Sequence, residues 1–154
     1  MNGTIVRCVA DTGQTVFAPS GGSLEKQAPA RLRILIVEDH DASRHCLEGV
    51  LQREGYVVRS LACAEEGLAH LEADHFDTLL TDLRLPGMDG FELIGKARVV
   101  QPSIRIVLMT AIISKEVYER AQMMCIDGLI EKPMELDQLL AFLDSIRLHI
   151  ETGS

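Results

Sequence analysis

The sequence predicts an α/β fold: a doubly wound, five-stranded parallel sheet with helices on both faces. Three observations carry this. Five short apolar runs, near 32–37, 57–61, 77–81, 104–109 and 127–131, alternate with five segments of helical periodicity. Runs of this length, bounded by turn or helix-start signals, read as buried parallel strands. Four of the five stop at reactive polar residues, and in an open parallel sheet the carboxyl ends of the strands face one crevice.

Taken in order, residues 1–30 stand apart. Thr4–Ala10 and Gln14–Ala18 flank Asp11-Thr12-Gly13, a three-residue hairpin turn, and Pro19-Ser20-Gly21-Gly22-Ser23 follows as a flexible linker. A lone hairpin is marginal in water, so this extension either docks on the domain or is disordered. From Arg31 the alternation begins. The first strand leads to a helix near 41–54, where Cys46, Leu47, Val50 and Leu51 repeat at helical spacing and Gly55 takes the C-terminal cap. Helices near 64–72, 90–100, 114–123 and 135–149 follow the next four strands. The last of them sets Leu136, Leu139, Leu140, Leu143 and Ile146 on one face. A short tail, 150–154, ends the chain.

Asp39 and Asp82 become neighbours only if the first and third strands pair directly. That selects the order 2-1-3-4-5, the flavodoxin-like arrangement, with right-handed crossovers.

The 154 residues suffice for one domain with a core, not for two. A net charge of −8 argues against a general nucleic-acid surface, because phosphate backbones attract basic patches. Cys8, Cys46, Cys63 and Cys125 show no zinc-ligand spacing, and Cys46 is expected as a reduced core thiol. No stretch approaches the roughly 20 apolar residues that span a bilayer. Arg7 and Asp11 interrupt any signal-peptide core, so a cytoplasmic protein with no membrane partner is expected.

The chemistry sits at the strand ends. Glu38-Asp39 close the first strand, Asp82 the third, Thr110 the fourth and Lys132 the fifth. Clustered carboxylates repel unless a cation neutralises them, and Mg²⁺ prefers oxygen ligands. A carboxylate can also attack phosphorus to give an aspartyl phosphate. Each acid alone reads first as a helix cap, a role Asp41 and Ser43 could share, and Thr110 alone reads equally as another. Lys132 precedes Pro133, hence lies on extended backbone, where it can pair with the carboxylates and then with a phosphoryl oxygen. The three acids, one hydroxyl and one amine together favour a metal-phosphoryl site.

The acid pair Glu38-Asp39, the segment Asp82-Leu83-Arg84-Leu85-Pro86-Gly87-Met88-Asp89-Gly90, Thr110-Ala111 and Lys132-Pro133 resemble the receiver domains of bacterial two-component response regulators. The likeness covers residues 31–149. It implies Asp82 as the residue phosphorylated by a sensor histidine kinase or phosphotransfer protein. It implies Mg²⁺ held by Asp39, by Glu38 through water, by Asp82 and by the backbone carbonyl of Arg84. Thr110 and Lys132 would bind the phosphoryl oxygens. The expected role is a signalling switch, not an enzyme in its own right, acting on a downstream protein or a missing output domain. A homodimer through the fourth helix, last strand and last helix belongs to the same expectation.

The sequence departs from the family at Leu129, where an aromatic residue usually stands three positions before the lysine. That puts the usual Thr-to-aromatic coupling in question. Arg84 and Ile112 hold the variable places that gate water, and their bulk predicts slow self-hydrolysis. Two other classes compete. A haloacid-dehalogenase-type phosphohydrolase needs a second Asp where Arg84 stands, and Arg cannot release a proton at neutral pH. A receiver-like interaction module independent of phosphorylation would not need the intact acid, Thr and Lys set. His40, His45, His70, His75 and His149 read as surface residues, and nothing after the last helix resembles an output domain.

Overall fold

The computed structural model describes the backbone of residues 5–7 and residues 31–152. Five parallel strands, β2 (Arg33–Val37), β3 (Val57–Leu61), β4 (Thr78–Asp82), β5 (Arg105–Thr110) and β6 (Gly128–Glu131), alternate with α1 (Asp41–Arg53), α2 (Ala64–Ala73), α3 (Gly90–Val100), α4 (Lys115–Met123) and α5 (Leu136–Glu151). Every element expected from Arg31 onward is present. The last helix runs two residues past its expected end, into the segment assigned to the tail.

The sheet order is β1-β6-β5-β4-β2-β3. Its five parallel strands therefore have the expected order, with β2 beside both β3 and β4. The burial pattern follows the topology. Central β4 and β5 are buried on both faces, as continuous apolar runs require, whereas edge strand β3 is only partly covered.

The sheet also gains a sixth strand. β1 (Ile5–Arg7) lies antiparallel on β6, with Ile5 opposite Ile130 and Arg7 opposite Gly128. It belongs to the first arm of the expected hairpin and docks on β6. A parallel edge strand presents unpaired N–H and C=O groups, and a short antiparallel segment satisfies them. The turn, second arm and linker proposed for residues 8–30 lie outside the described residues.

Two apolar layers sandwich the sheet. Ile34, Ile36, Met109 and Ile130 face Leu47 and Leu51 of α1 and Leu139 and Leu143 of α5. On the other side Leu35, Val37, Leu108 and Leu129 face α2, α3 and α4. Gly128 leaves room for Phe142 of α5, whose ring would lie 2.7 Å from a Cβ there.

Cys46 is a correction: it is exposed, not in the core. The buried stripe of α1 runs through Leu47 and Leu51, and Cys46 sits one step, about 100°, off it. Cys63 and Cys125 are also free thiols. Gly55 follows α1 with φ +94, the left-handed conformation expected of a residue that ends a helix. Among the described residues, no helix is long and apolar enough to cross a membrane.

Candidate functional site

Parallel register delivers the polar strand ends to one edge of the sheet. Val37 is opposite Thr81, Asp82 opposite Met109, and Thr110 opposite Glu131. One residue beyond these partners come Glu38 and Lys132. The Glu38 backbone continues β2 by donating to the Leu61 carbonyl at 3.0 Å. The Lys132 amide donates to the Thr110 carbonyl at 2.7 Å, which keeps it on the line of β6.

Carboxylate oxygens of Glu38, Asp39 and Asp82 lie within 4.8 Å of one another. Glu38 is 1% exposed, and Asp39 is open to solvent. The Lys132 ammonium donates to Glu38 Oε2 at 2.5 Å and to Asp82 Oδ2 at 3.0 Å. The other Glu38 oxygen accepts from the His40 amide at 3.1 Å. Burial by itself would lower the Lys132 pKa, but hydrogen bonds and charge from Glu38 and Asp82 outweigh it and hold the ammonium above its ordinary value. Three carboxylates facing one ammonium leave two negative charges without a partner in the cluster. A hard divalent cation fits that donor set.

The loop after β4 folds tightly against Asp82. Leu83 donates to the Met109 carbonyl and Gly90 to the Leu83 carbonyl, both at 2.8 Å. A Cβ on Gly90 would lie 2.5 Å from the Asp82 carbonyl oxygen, so this approach requires glycine. Asp89 caps α3 through the Glu92 amide at 2.9 Å. Gly87 has φ +79, and the Met88 amide donates to Glu65 Oε1 at 3.2 Å. Backbone hydrogen bonds, the one from Met88 among them, hold the Glu65 carboxyl below the usual carboxylate range.

Thr110 is in place but its hydroxyl faces its own loop. Oγ1 donates to the Ile112 carbonyl at 3.1 Å and lies 3.4 Å from the Ile112 amide. Arg84 lies exposed two residues after Asp82. Leu129 is fully buried in the layer under α4.

Capping falls to residues other than Glu38, Asp39 and Asp82. His40 caps α1, its Nδ1 accepting from the Ser43 amide at 3.2 Å, and Ser114 caps α4 through the Val117 amide. The carboxylates of Glu38 and Asp82 are thus free to face the cluster. Three nearby contacts escaped sequence reasoning. Arg44 donates to the Glu38 carbonyl at 2.9 Å, Glu65 holds the loop at Met88, and Glu131 Oε1 accepts from the Ile113 amide at 3.1 Å. Only Arg44 left a signal, a cation one turn along the helix that follows the acid pair.

Comparison with known proteins agrees with this arrangement. The family model described as "Response regulator receiver domain" matches residues 34–144. The sporulation initiation phosphotransferase F of Bacillus subtilis is 29% identical over 107 residues, covering 70% of this chain and 86% of that protein. A CheY-like response regulator receiver domain from Methanospirillum hungatei superposes with a TM-score of 0.77 at 33% identity, covering 81% of this chain and 100% of that one. The sensory/regulatory protein RpfC of Xanthomonas campestris is 28% identical over 130 residues, which is 81% of this chain and 18% of RpfC. For several curated relatives the chain spans only 10–24% of their length. Because the matched segment runs from the first parallel strand into the last helix and encloses the whole acidic cluster with its lysine, the chain belongs to the response regulator receiver domains of two-component systems.

Proposed function

We propose that Asp82 is the phosphoacceptor of this receiver domain, and that its phosphorylation switches a protein-interaction surface. The observation that carries this reading is the Asp82 carboxylate beside Glu38 and Asp39, with Lys132 bridging Asp82 to Glu38.

Mg²⁺ would be held by Asp39, Asp82 and the Arg84 carbonyl, and by Glu38 through water, where it would supply charge neutralisation for an incoming phosphoryl group. A carboxylate oxygen of Asp82 attacks the phosphorus of a phosphohistidine on a sensor histidine kinase or phosphotransfer protein. The P–N bond breaks as the P–O bond forms, and the departing imidazole takes up a proton. Lys132 stays with the carboxylates and gains a phosphoryl oxygen as a further partner. Thr110 turns from Ile112 to donate to another. The chain's role is that of a switch, with catalysis limited to its own phosphorylation and a slow return by hydrolysis. Arg84 and Ile112 are the bulky residues that slow this return, and Ile112 is 70% exposed at the rim.

The folded unit is residues 31–149, with 1–30 as an extension whose β1 lies on β6. Its setting is the cytoplasm, where the phosphodonor resides, and its output goes to a protein partner or a linked output domain. A homodimer through α4, β6 and α5 would bring β1 to the interface. Direct binding to nucleic acid or membrane forms no part of this reading, in keeping with the net charge of −8.

The test is incubation of the protein and of Asp82→Asn with acetyl phosphate and Mg²⁺, followed by intact mass spectrometry. One phosphoryl addition confined to the wild type supports the assignment. Addition to neither protein returns the chain to the class of phosphate-independent interaction modules.

A further inference from the structure

The loop from Ala111 to Ser114 joins the phosphoryl-sensing end of β5 to α4, and two side chains hold its backbone. Thr110 holds Ile112 through its hydroxyl, at 3.1 Å from the carbonyl and 3.4 Å from the amide. Glu131 holds Ile113, its Oε1 accepting from the amide at 3.1 Å. Thr110 and Glu131 are direct partners across the β5–β6 pair, so both anchors stand at the same level of the sheet. Past this loop α4 has light attachment: Ala121 is its only buried residue, with Val117 and Tyr118 partly covered.

Leu129 occupies the inner side of β6 and is already fully buried. It carries no polar group with which to follow the Thr110 hydroxyl, and its side chain already sits in the core. Movement of Thr110 must then be read by whatever it releases, and what it releases is the Ile112 backbone. Glu131, two residues along the same strand from Leu129, keeps hold of the next peptide unit.

We propose that Glu131 is the positioning residue of the switch. It fixes the loop at Ile113, so that departure of Thr110 from Ile112 pivots the loop about that point and shifts the first turn of α4. The coupling runs through main-chain hydrogen bonds instead of an aromatic side chain on β6. This inference rests on phosphorylation of Asp82, and the test separates the two.

The experiment follows ¹⁵N amide shifts of Ile112, Ile113 and Lys115–Tyr118 in the full chain, with and without acetyl phosphate and Mg²⁺. Intact mass is read on the same samples. Wild type, Glu131→Gln, Glu131→Asp and Glu131→Ala are compared. The Gln carbonyl reaches Ile113 as Glu does, whereas Asp keeps the charge but is one methylene too short. All four should take up one phosphoryl group. Gln should keep the wild-type α4 response, and Asp and Ala should weaken it about fivefold, within the range by which single residues alter coupling. An undiminished α4 response in Asp and Ala, or a Gln variant that behaves like Ala, overturns the role of Glu131. If wild type takes up no phosphoryl group, the reading of Asp82 has failed, and the proposal that depends on it falls with it. Should the Ala variant not fold, the Asp and Gln pair decides.

Discussion

The two helices that flank β6 are anchored very differently. α5 spans Leu136–Glu151 and buries Leu139, Phe142, Leu143 and Ile146, whereas α4 spans Lys115–Met123 and buries only Ala121. Their connections to the site differ in the same sense. The chain reaches α5 through Lys132, which is pinned to Glu38 and Asp82, and reaches α4 through Thr110, whose hydroxyl is taken up by the Ile112 backbone. One side of the site is therefore fixed and the other poised. A signal that must leave a rigid sheet leaves by the element with least to lose, because segments with few buried contacts open at low free-energy cost.

The largest expected effect tests the anchoring itself. Leu143→Ala should lower stability by about 2–5 kcal/mol, the cost of a core cavity. Val117→Ala on α4 should lower it by about 1 kcal/mol, since that side chain is only partly covered. Chemical denaturation measures both, and equal losses would remove the basis of the contrast. Gly128→Ala comes next. Its Cβ would stand 2.7 Å from the Phe142 ring, so α5 must shift or the ring must leave its rotamer. A loss of about 1–3 kcal/mol is expected from such overpacking. If the ring is the cause, Gly128→Ala should cost nothing further when made on a Phe142→Leu background.

Much of this contrast was open to sequence reasoning, and part of it was not. The strand ends were legible because β2, β4, β5 and β6 are short, strongly apolar runs that stop at a charge or a hydroxyl. α5 was legible because its leucines recur at helical spacing. What a side chain does at the end of its strand was not. Nothing in the pattern distinguishes a Thr110 hydroxyl aimed at Asp82 from one aimed at Ile112, since a single χ1 rotation separates them. The acids could have capped α1, and a histidine took that position because its Nδ1 reaches the Ser43 amide. Cys46 was misplaced by one step of helical phase. Glu131 and Glu65 each bind a backbone amide on a loop far away in sequence, and such contacts leave no periodic trace.

The fixed side of the site also has a pH signature. The Lys132 pKa is raised in the fold by its two carboxylate partners, against the opposing effect of burial. A raised folded value means the contribution is complete below the unfolded lysine value of about 10.4 and is lost as pH rises through the folded value. Tyr56, raised chiefly by burial, works in the same direction near the same pH. Wild type should therefore lose stability above about pH 10 more steeply than Lys132→Met, which keeps Tyr56 and lacks the ammonium. Parallel slopes for the two proteins would mean that Lys132 is not held by Glu38 and Asp82 in solution.

The smallest effect is the most pointed for α4. Arg120 stacks on the Phe91 ring of α3, its guanidinium carbon 4.4 Å from the ring centroid. This contact ties the second half of α4 to the domain, while Ser114 and Glu131 hold its entrance. Arg120→Ala should cost only about 0.5–1 kcal/mol in global stability, the worth of an exposed cation–π pair. It should nevertheless speed hydrogen exchange across Lys115–Met123 and leave Leu136–Glu151 unchanged, because α4 opens without α5. If exchange rises equally in both helices, they form one cooperative unit, and phosphorylation at Asp82 could not move the first without the second.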